Sequence, residues 1–347
     1  MLFITSKGFF TLFLLCFSCR QNRRQLFPTR TEKECLTELR KHPQSYFAYQ
    51  NMTQERKNRF LEFMEGTKTL PLTYDPFFKK LFNPDIYPER LSSLISSIIG
   101  TRVTVQCILS NEDSMLPSTS LLLLDIIVQL EDGSIANVEI QKNPYTFPGE
   151  RMSCYSADLL LRQYTRVKSN LGKDFTYKDM RTVYTIVMYE KSPNECLKDR
   201  FANIYLHHGR TIFNTGVNLS LLQEYYVVNL DVFKNSKYAK DINDLNAWLS
   251  LLTADSTDNL TTLISNYPWM ESICQDISEY LYRPEEVISM FSKALKKMDE
   301  NTVNFMIEQM KKALEEKDAA LSEKDAALSE KDAEIAALQA KLAALEH

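Results

Sequence analysis

The residues able to do chemistry gather in one stretch of this 347-residue chain, from Leu121 to Lys142. Leu124, Ile126, Val128 and Leu130 alternate with Asp125, Ile127 and Gln129. After Glu131-Asp132-Gly133, Ala136, Val138 and Ile140 alternate with Asn137, Glu139 and Gln141. Period-two alternation on both sides of an Asp-Gly pair predicts a β-hairpin, and the turn decides which residues face one another. A two-residue turn would set Asp125 against Ile140 and mix polar with apolar on each face. A three-residue loop, type I with Gly133 left-handed, pairs Leu130 with Ser134. Asp125 then lies opposite Glu139, with Gln141 next on the same face as Gln129 and Asn137, while the other face is nearly all apolar. The three-residue loop is therefore the expected one.

Two carboxylates so close repel, and one pKa would rise unless a cation lay between them. A hard divalent ion, Mg²⁺ or Mn²⁺, suits ligands such as Asp125, Glu139 and the backbone carbonyl of Ile140. Such a site binds a scissile phosphate and stabilises the charge that develops as it is attacked. Gln141, or Lys142 beside it, would orient the water or touch the phosphate; glutamine cannot be a general base. The same residues also fit an ordinary polar sheet face, and one Asp…Glu-x-Gln does not separate the two readings.

The flanking segments read as the elements that would hold such a hairpin. Phe78, Leu81 and Phe82 have helical spacing after Tyr74-Asp75-Pro76. Pro88 opens a second helix that ends at Gly100. Val103 to Leu109 reads as a strand and residues 111 to 120 as a polar loop. Pro148-Gly149-Glu150 starts a long helix to about Val167, with Met152, Tyr155, Leu159, Leu160 and Tyr164 on its apolar stripe. Thr182 to Tyr189 is rich in β-branched and aromatic residues and predicts a buried strand; shorter strands are expected at Ile204 to His207 and Tyr225 to Leu230. Beyond Asp241 the spacing is helical.

From Glu316 the chain repeats with period seven, EKDAALS, EKDAALS, EKDAEIA, and Leu314, Leu321, Leu328, Ile335 and Leu342 fall on one stripe. The companion positions are Lys317, Lys324 and Lys331 before they become Leu338 and Leu345. This predicts a long solvated helix of weak coiled-coil character, a candidate for homo-oligomer formation.

Composition narrows the classes. Hydrophobic residues at 44% and charged ones at 25% describe a folded chain. A net charge of −4 gives no global basic signature, so any nucleic-acid contact must be local. Seven cysteines, an odd number, do not form a disulfide framework and suit a reduced, cytoplasmic compartment. The apolar run from Phe9 to Phe17 is too short to span a bilayer, and Arg20, Arg23 and Arg24 after it oppose export. A membrane or export signal is the minor alternative to a reading frame that truly starts near Met52 or Met64. His207-His208 has no cysteine at zinc-like spacing, and no phosphate-loop glycine motif marks a nucleotide cofactor.

In order and spacing, these segments resemble the PD-(D/E)XK nucleases, specifically the transposase-associated branch that includes the recombination-promoting nucleases. The resemblance runs from about Met52 to Leu252. It is carried by YDPFFKKLF at 74 to 82, LLLLDIIVQLEDGSIANVEIQ at 121 to 141, ERMSCYSADLLLRQY at 150 to 164 and TVYTIVMYE at 182 to 190, and more loosely by NAWLSLL at 246 to 252. It implies an α/β fold with a restriction-endonuclease-like αβββαβ core: a mixed central sheet flanked by helices. It also implies metal-dependent cleavage of DNA in a recombination or mobile-element setting. Asp125 and Glu139 match the metal-binding acids, and Gln141 stands where most of the superfamily has lysine. Asp75 matches an acid that touches a second metal or holds the core. Arg151 and Tyr155 lie one turn apart: either both face the cleft, with Arg151 on a phosphate, or Tyr155 packs in the core, as such a residue more often does. Lys79, Lys80, Lys142, Arg162 and Arg166 are candidate backbone contacts, though solvated helix faces carry such charges routinely. A catalytically degenerate scaffold that binds DNA or a protein partner is the alternative. The expected layout is a basic extension over 1–51, a nuclease core over 52–235, a helical region over 236–305 and a heptad helix over 306–347.

Overall fold

The computed structural model describes residues 26–109, 126–142, 148–198 and 201–345. The hydrophobic run at 9–17, the loop at 111–120 and Asp125 lie outside these. The chain divides into two compact units between Leu295 and Lys296.

The first unit opens with α1 (Glu32–Leu39) and α2 (Pro43–Gln50), in the region read from the sequence as a basic extension. Thr31 caps α1 in a capping box: its hydroxyl accepts from the Glu34 amide, and the Glu34 carboxylate accepts from the Thr31 amide at 2.7 Å. Cys35 and Leu39 of α1 and Tyr49 of α2 are buried in the main core beside Phe60, Phe63 and Met64 of α3 (Gln54–Met64). Residues 26–51 are thus part of the folded unit.

Next come α4 (Asp75–Leu81) and α5 (Pro88–Ile99). Gly100 ends α5 in the left-handed conformation, φ 73°, as the sequence predicts. Strands β1 (Val105–Ile108), β2 (Ile126–Leu130) and β3 (Ile135–Gln141) follow, then α6 (Pro148–Leu171) and β4 (Val183–Tyr189). The order from α5 to β4 is the expected αβββαβ. After it, β5 (Leu206–Arg210) begins two residues later than the sequence reading placed it, and β6 (Gln223–Asn229) precedes α7 (Leu230–Asn235). The helices beyond Asp241 are α8 (Asp244–Leu252), α9 (Thr257–Asn266), α10 (Glu271–Glu279) and α11 (Pro284–Leu345).

The six strands form one mixed sheet in the order β1-β2-β3-β4-β6-β5. β3, β4 and β6 run parallel; the other neighbours are antiparallel. The hairpin has the expected three-residue loop: the Leu130 amide donates to Ser134 O at 2.9 Å, and Gly133 sits at φ 85°. Ile126 faces Val138 and Gln129 faces Ile135. A one-residue slip would have turned every hairpin side chain over.

One sheet face presents Ile126, Val128, Leu130, Ala136, Val138, Ile186 and Met188 to a core shared with Leu91, Leu94 and Ile95 of α5 and Trp248 and Leu249 of α8. The helices after Asp241 pack into this core rather than forming their own. The other face lies under α6. There Tyr155 and Leu159 pack on Ile127, Ile135 and Val183, and Met152 packs on Val187 and Tyr189. The hairpin's polar face is therefore buried rather than solvated. No helix among the described residues is long and apolar enough to cross a membrane.

Candidate active site

Glu139 lies near the carboxyl end of β3, a central strand, and Gln141 two residues on shares its face. Ligand crevices in open sheets lie outside the carboxyl ends of parallel strands, and here β3, β4 and β6 end together at Gln141, Tyr189 and Asn229. Glu139 and Gln141 are only 5% and 6% exposed, so the carboxylate needs donors to stay charged. Two are in place. Gln141 Nε2 donates to Glu139 Oε1, and the Tyr155 hydroxyl donates to the same oxygen at 3.2 Å. Arg151 Nη2 in turn donates to the Tyr155 hydroxyl at 3.0 Å. One turn of helix separates Arg151 from Tyr155, and this spacing links a partly exposed guanidinium to the buried acid through one phenol. Tyr189 is buried beside them, and desolvation, with the Glu139 charge second, pushes its phenol far above its ordinary pKa. It stays a neutral hydroxyl at any working pH.

The sequence left Tyr155 between a DNA contact in the cleft and a place in the core. It is 1% exposed, in the core, and supports Glu139 from there. Arg162, offered as a rim cation, is buried: its Nη2 lies 2.5 Å from Asp158 one turn earlier on α6. A charged pair at i, i+4 facing the sheet cannot serve a DNA rim. Lys80 is engaged across the fold with Glu286 at 3.1 Å.

A second group forms on the opposite side of β3. Lys142 points away from Gln141, as strand alternation requires, and its Nζ sits 3.1 Å from the centroid of the Tyr74 ring. Glu190, following β4, lies 3.8 Å from Lys142 Nζ and accepts from the Thr73 hydroxyl at 2.8 Å. This fastens the start of α4 to the ends of β3 and β4. Asp75, the first residue of α4, pairs with Lys79 at 2.9 Å. The structure thus joins Glu139, Gln141, Tyr155 and Arg151 in one hydrogen-bonded chain, and sets Lys142 and Tyr74 beside it on the other face. Glu190 was missed in the sequence, since a charged residue just past a strand carries no signal of its own.

Asp125 lies outside the described residues. The phase of β2 against β3 is the one in which the sequence set it opposite Glu139. Among the described residues no group of three or more His, Cys, Asp or Glu gathers to hold a metal. The donors at hand, the Glu139 carboxylate and the Ile140 carbonyl next to it, are hard oxygens, the type that Mg²⁺ and Mn²⁺ take. They fit such an ion in kind, with Asp125 needed to complete the set.

Comparison with known families is decisive for identity: residues 72–328, well over half of the chain, match the PD-(D/E)XK nuclease family transposases. The chain belongs to that family. Neither the curated proteins nor the solved structures include a match. The match takes in the whole segment from α4 through the sheet and the first heptad repeats of α11. The restriction-endonuclease-like fold it implies agrees with the observed sheet and order of elements.

Proposed function

We propose that the protein is a metal-dependent DNA endonuclease that hydrolyses phosphodiester bonds in a recombination or mobile-element setting. The observation that supports this most is the buried Glu139 at the end of the central parallel strand, held by two donors on one oxygen, inside the region that matches the nuclease family. A buried carboxylate with such support is costly to keep for packing alone.

In this reading Asp125 and Glu139, with the Ile140 carbonyl, hold Mg²⁺ or Mn²⁺. The bound ion would bind the scissile phosphate and favour hydroxide at neutral pH. Gln141 fixes the Glu139 carboxylate and, being neutral, leaves the positive charge on the phosphate to other groups. Arg151, at the first turn of α6 and partly exposed, is one such group, and Lys142 is turned to the other face by strand alternation. Asp75 and Lys79 belong to the rim beyond Lys142. Copies would join through the C-terminal helix, and a cytoplasmic place fits the free cysteines at 35, 107, 154, 196 and 274.

The test is nicking of supercoiled plasmid by the full chain with Mg²⁺, Mn²⁺ or chelator, beside Asp125→Asn and Glu139→Gln. Metal-dependent nicking lost in both variants supports the reading. Nicking that survives both places the chemistry elsewhere. A parent chain that binds DNA equally with or without metal, and never cuts it, is the degenerate scaffold, consistent with a glutamine where the superfamily has lysine.

A further inference from the structure

Among the described side chains of the 62-residue helix α11 runs an exposed apolar stripe. Ile307, Met310, Leu314, Leu321, Leu328, Ile335 and Leu338 all belong to it, and each is 46% to 65% exposed. Single exposed aliphatics are commonplace, but a continuous row of them marks a surface that something covers. The spacing identifies the kind of cover. Ile307, Leu314, Leu321, Leu328 and Ile335 recur every seven residues without a slip. On a straight helix a seven-residue repeat drifts by about 20° per heptad, so the stripe would wind away from any flat neighbour. A strict repeat over four heptads keeps one face only when two helices coil around each other.

We propose that α11 pairs with α11 of a second copy, in a parallel, in-register, two-stranded coil. The charges choose this arrangement. With the leucines at position a, Lys317, Lys324 and Lys331 fall at d, and Asp318, Asp325 and Asp332 fall at e. In a parallel pair, leucine meets leucine and each d lysine packs beside the e aspartate of the other chain. The alanines at g, 313, 320 and 327, do not compete for those aspartates. An antiparallel pair would set each leucine against a lysine and aspartate against aspartate, which suppresses that orientation. Two strands leave the lysine heads at the edge, where their stems can lie along the seam and the ammonium groups reach water. Three strands would close them in. Apolar layers at Ile307, Met310 and Leu314, and again at Ile335 and Leu338, clamp both ends, so register is fixed outside the lysine layers. Both chains then enter the coil at the same end. The inference stands apart from the chemistry of the first unit.

The test uses the full chain in light scattering coupled to size exclusion. The expected mass is twice 40.3 kDa, falling twofold to the monomer in Leu321→Glu/Leu328→Glu and unchanged in Ser329→Glu, on the outer face. Melting of the first unit, unaltered in the double variant, shows that the fold survives. Orientation is read from Leu314→Cys after mild oxidation. A parallel dimer yields the tryptic peptide 313–317 linked to itself, whereas antiparallel chains hold the two cysteines about 36 Å apart and yield none. A monomeric parent, a dimer that survives the double glutamate variant, or a dimer without the 313–317 linkage would each overturn the proposal.

Discussion

At the scale of residues, the site depends on how the Glu139 carboxyl is held and aimed. Tyr155 donates to it from α6 and is itself gripped by Arg151. Tyr155→Phe keeps the ring in its pocket and deletes the donor, so stability should hardly move. Metal-dependent nicking should fall by about 10- to 100-fold, the usual cost of losing support for a metal ligand. An unchanged rate would make the phenol mere packing. The buried pair of Asp158 and Arg162 makes a contrasting prediction. Removing one partner leaves a buried charge, so Asp158→Leu should cost about 3–5 kcal/mol in denaturant unfolding. Asp158→Leu with Arg162→Met should recover most of that loss. Nothing in the sequence marked this pair: arginines on a helix usually lie outside, and i, i+4 spacing to an acid is as common in water as in a core.

Among elements, the hairpin was legible because two independent signals agreed, the period-two alternation and the turn chemistry around Gly133. Gly100 and the buried strand at 183–189 were legible for similar local reasons. The cover over the polar hairpin face was not. Asn137, Glu139 and Gln141 alternate as solvated positions do, and only tertiary packing puts α6 on them. The two N-terminal helices were missed for another reason: α2 spreads aromatic residues around its circumference, with Phe47 exposed and Tyr49 buried. A signal was present in α1, where Thr31-x-x-Glu34 is a capping box ahead of Cys35 and Leu39. Because Leu39 is fully buried against the core of the first unit, Leu39→Ala should cost about 2–5 kcal/mol. A chain starting at Met52 should melt well below the full one and expose dye-binding apolar surface. Equal melting temperatures would mean that α1 and α2 merely rest on the unit.

For the whole molecule, the contrast between the units is one of support. Residues 26–295 bury aromatic and aliphatic side chains on both faces of a sheet, whereas the described side chains of the tail over 313–339 are all exposed. A lone helix with no buried face is held only by propensity, supplied here by Ala, Leu, Glu and Lys, and it is marginal in water. The chain should therefore unfold in two steps rather than one. Circular dichroism at 222 nm should show an early loss of helix from the tail and a later one from the first unit. If the tail is held by a second copy, its midpoint should rise with protein concentration, since each tenfold increase adds about 1.4 kcal/mol to the associated state. The later transition should stay fixed. Leu321→Glu/Leu328→Glu should lower the early midpoint and abolish its dependence on concentration while sparing the later one. An early transition that ignores concentration in the parent would show a tail that melts as a single helix.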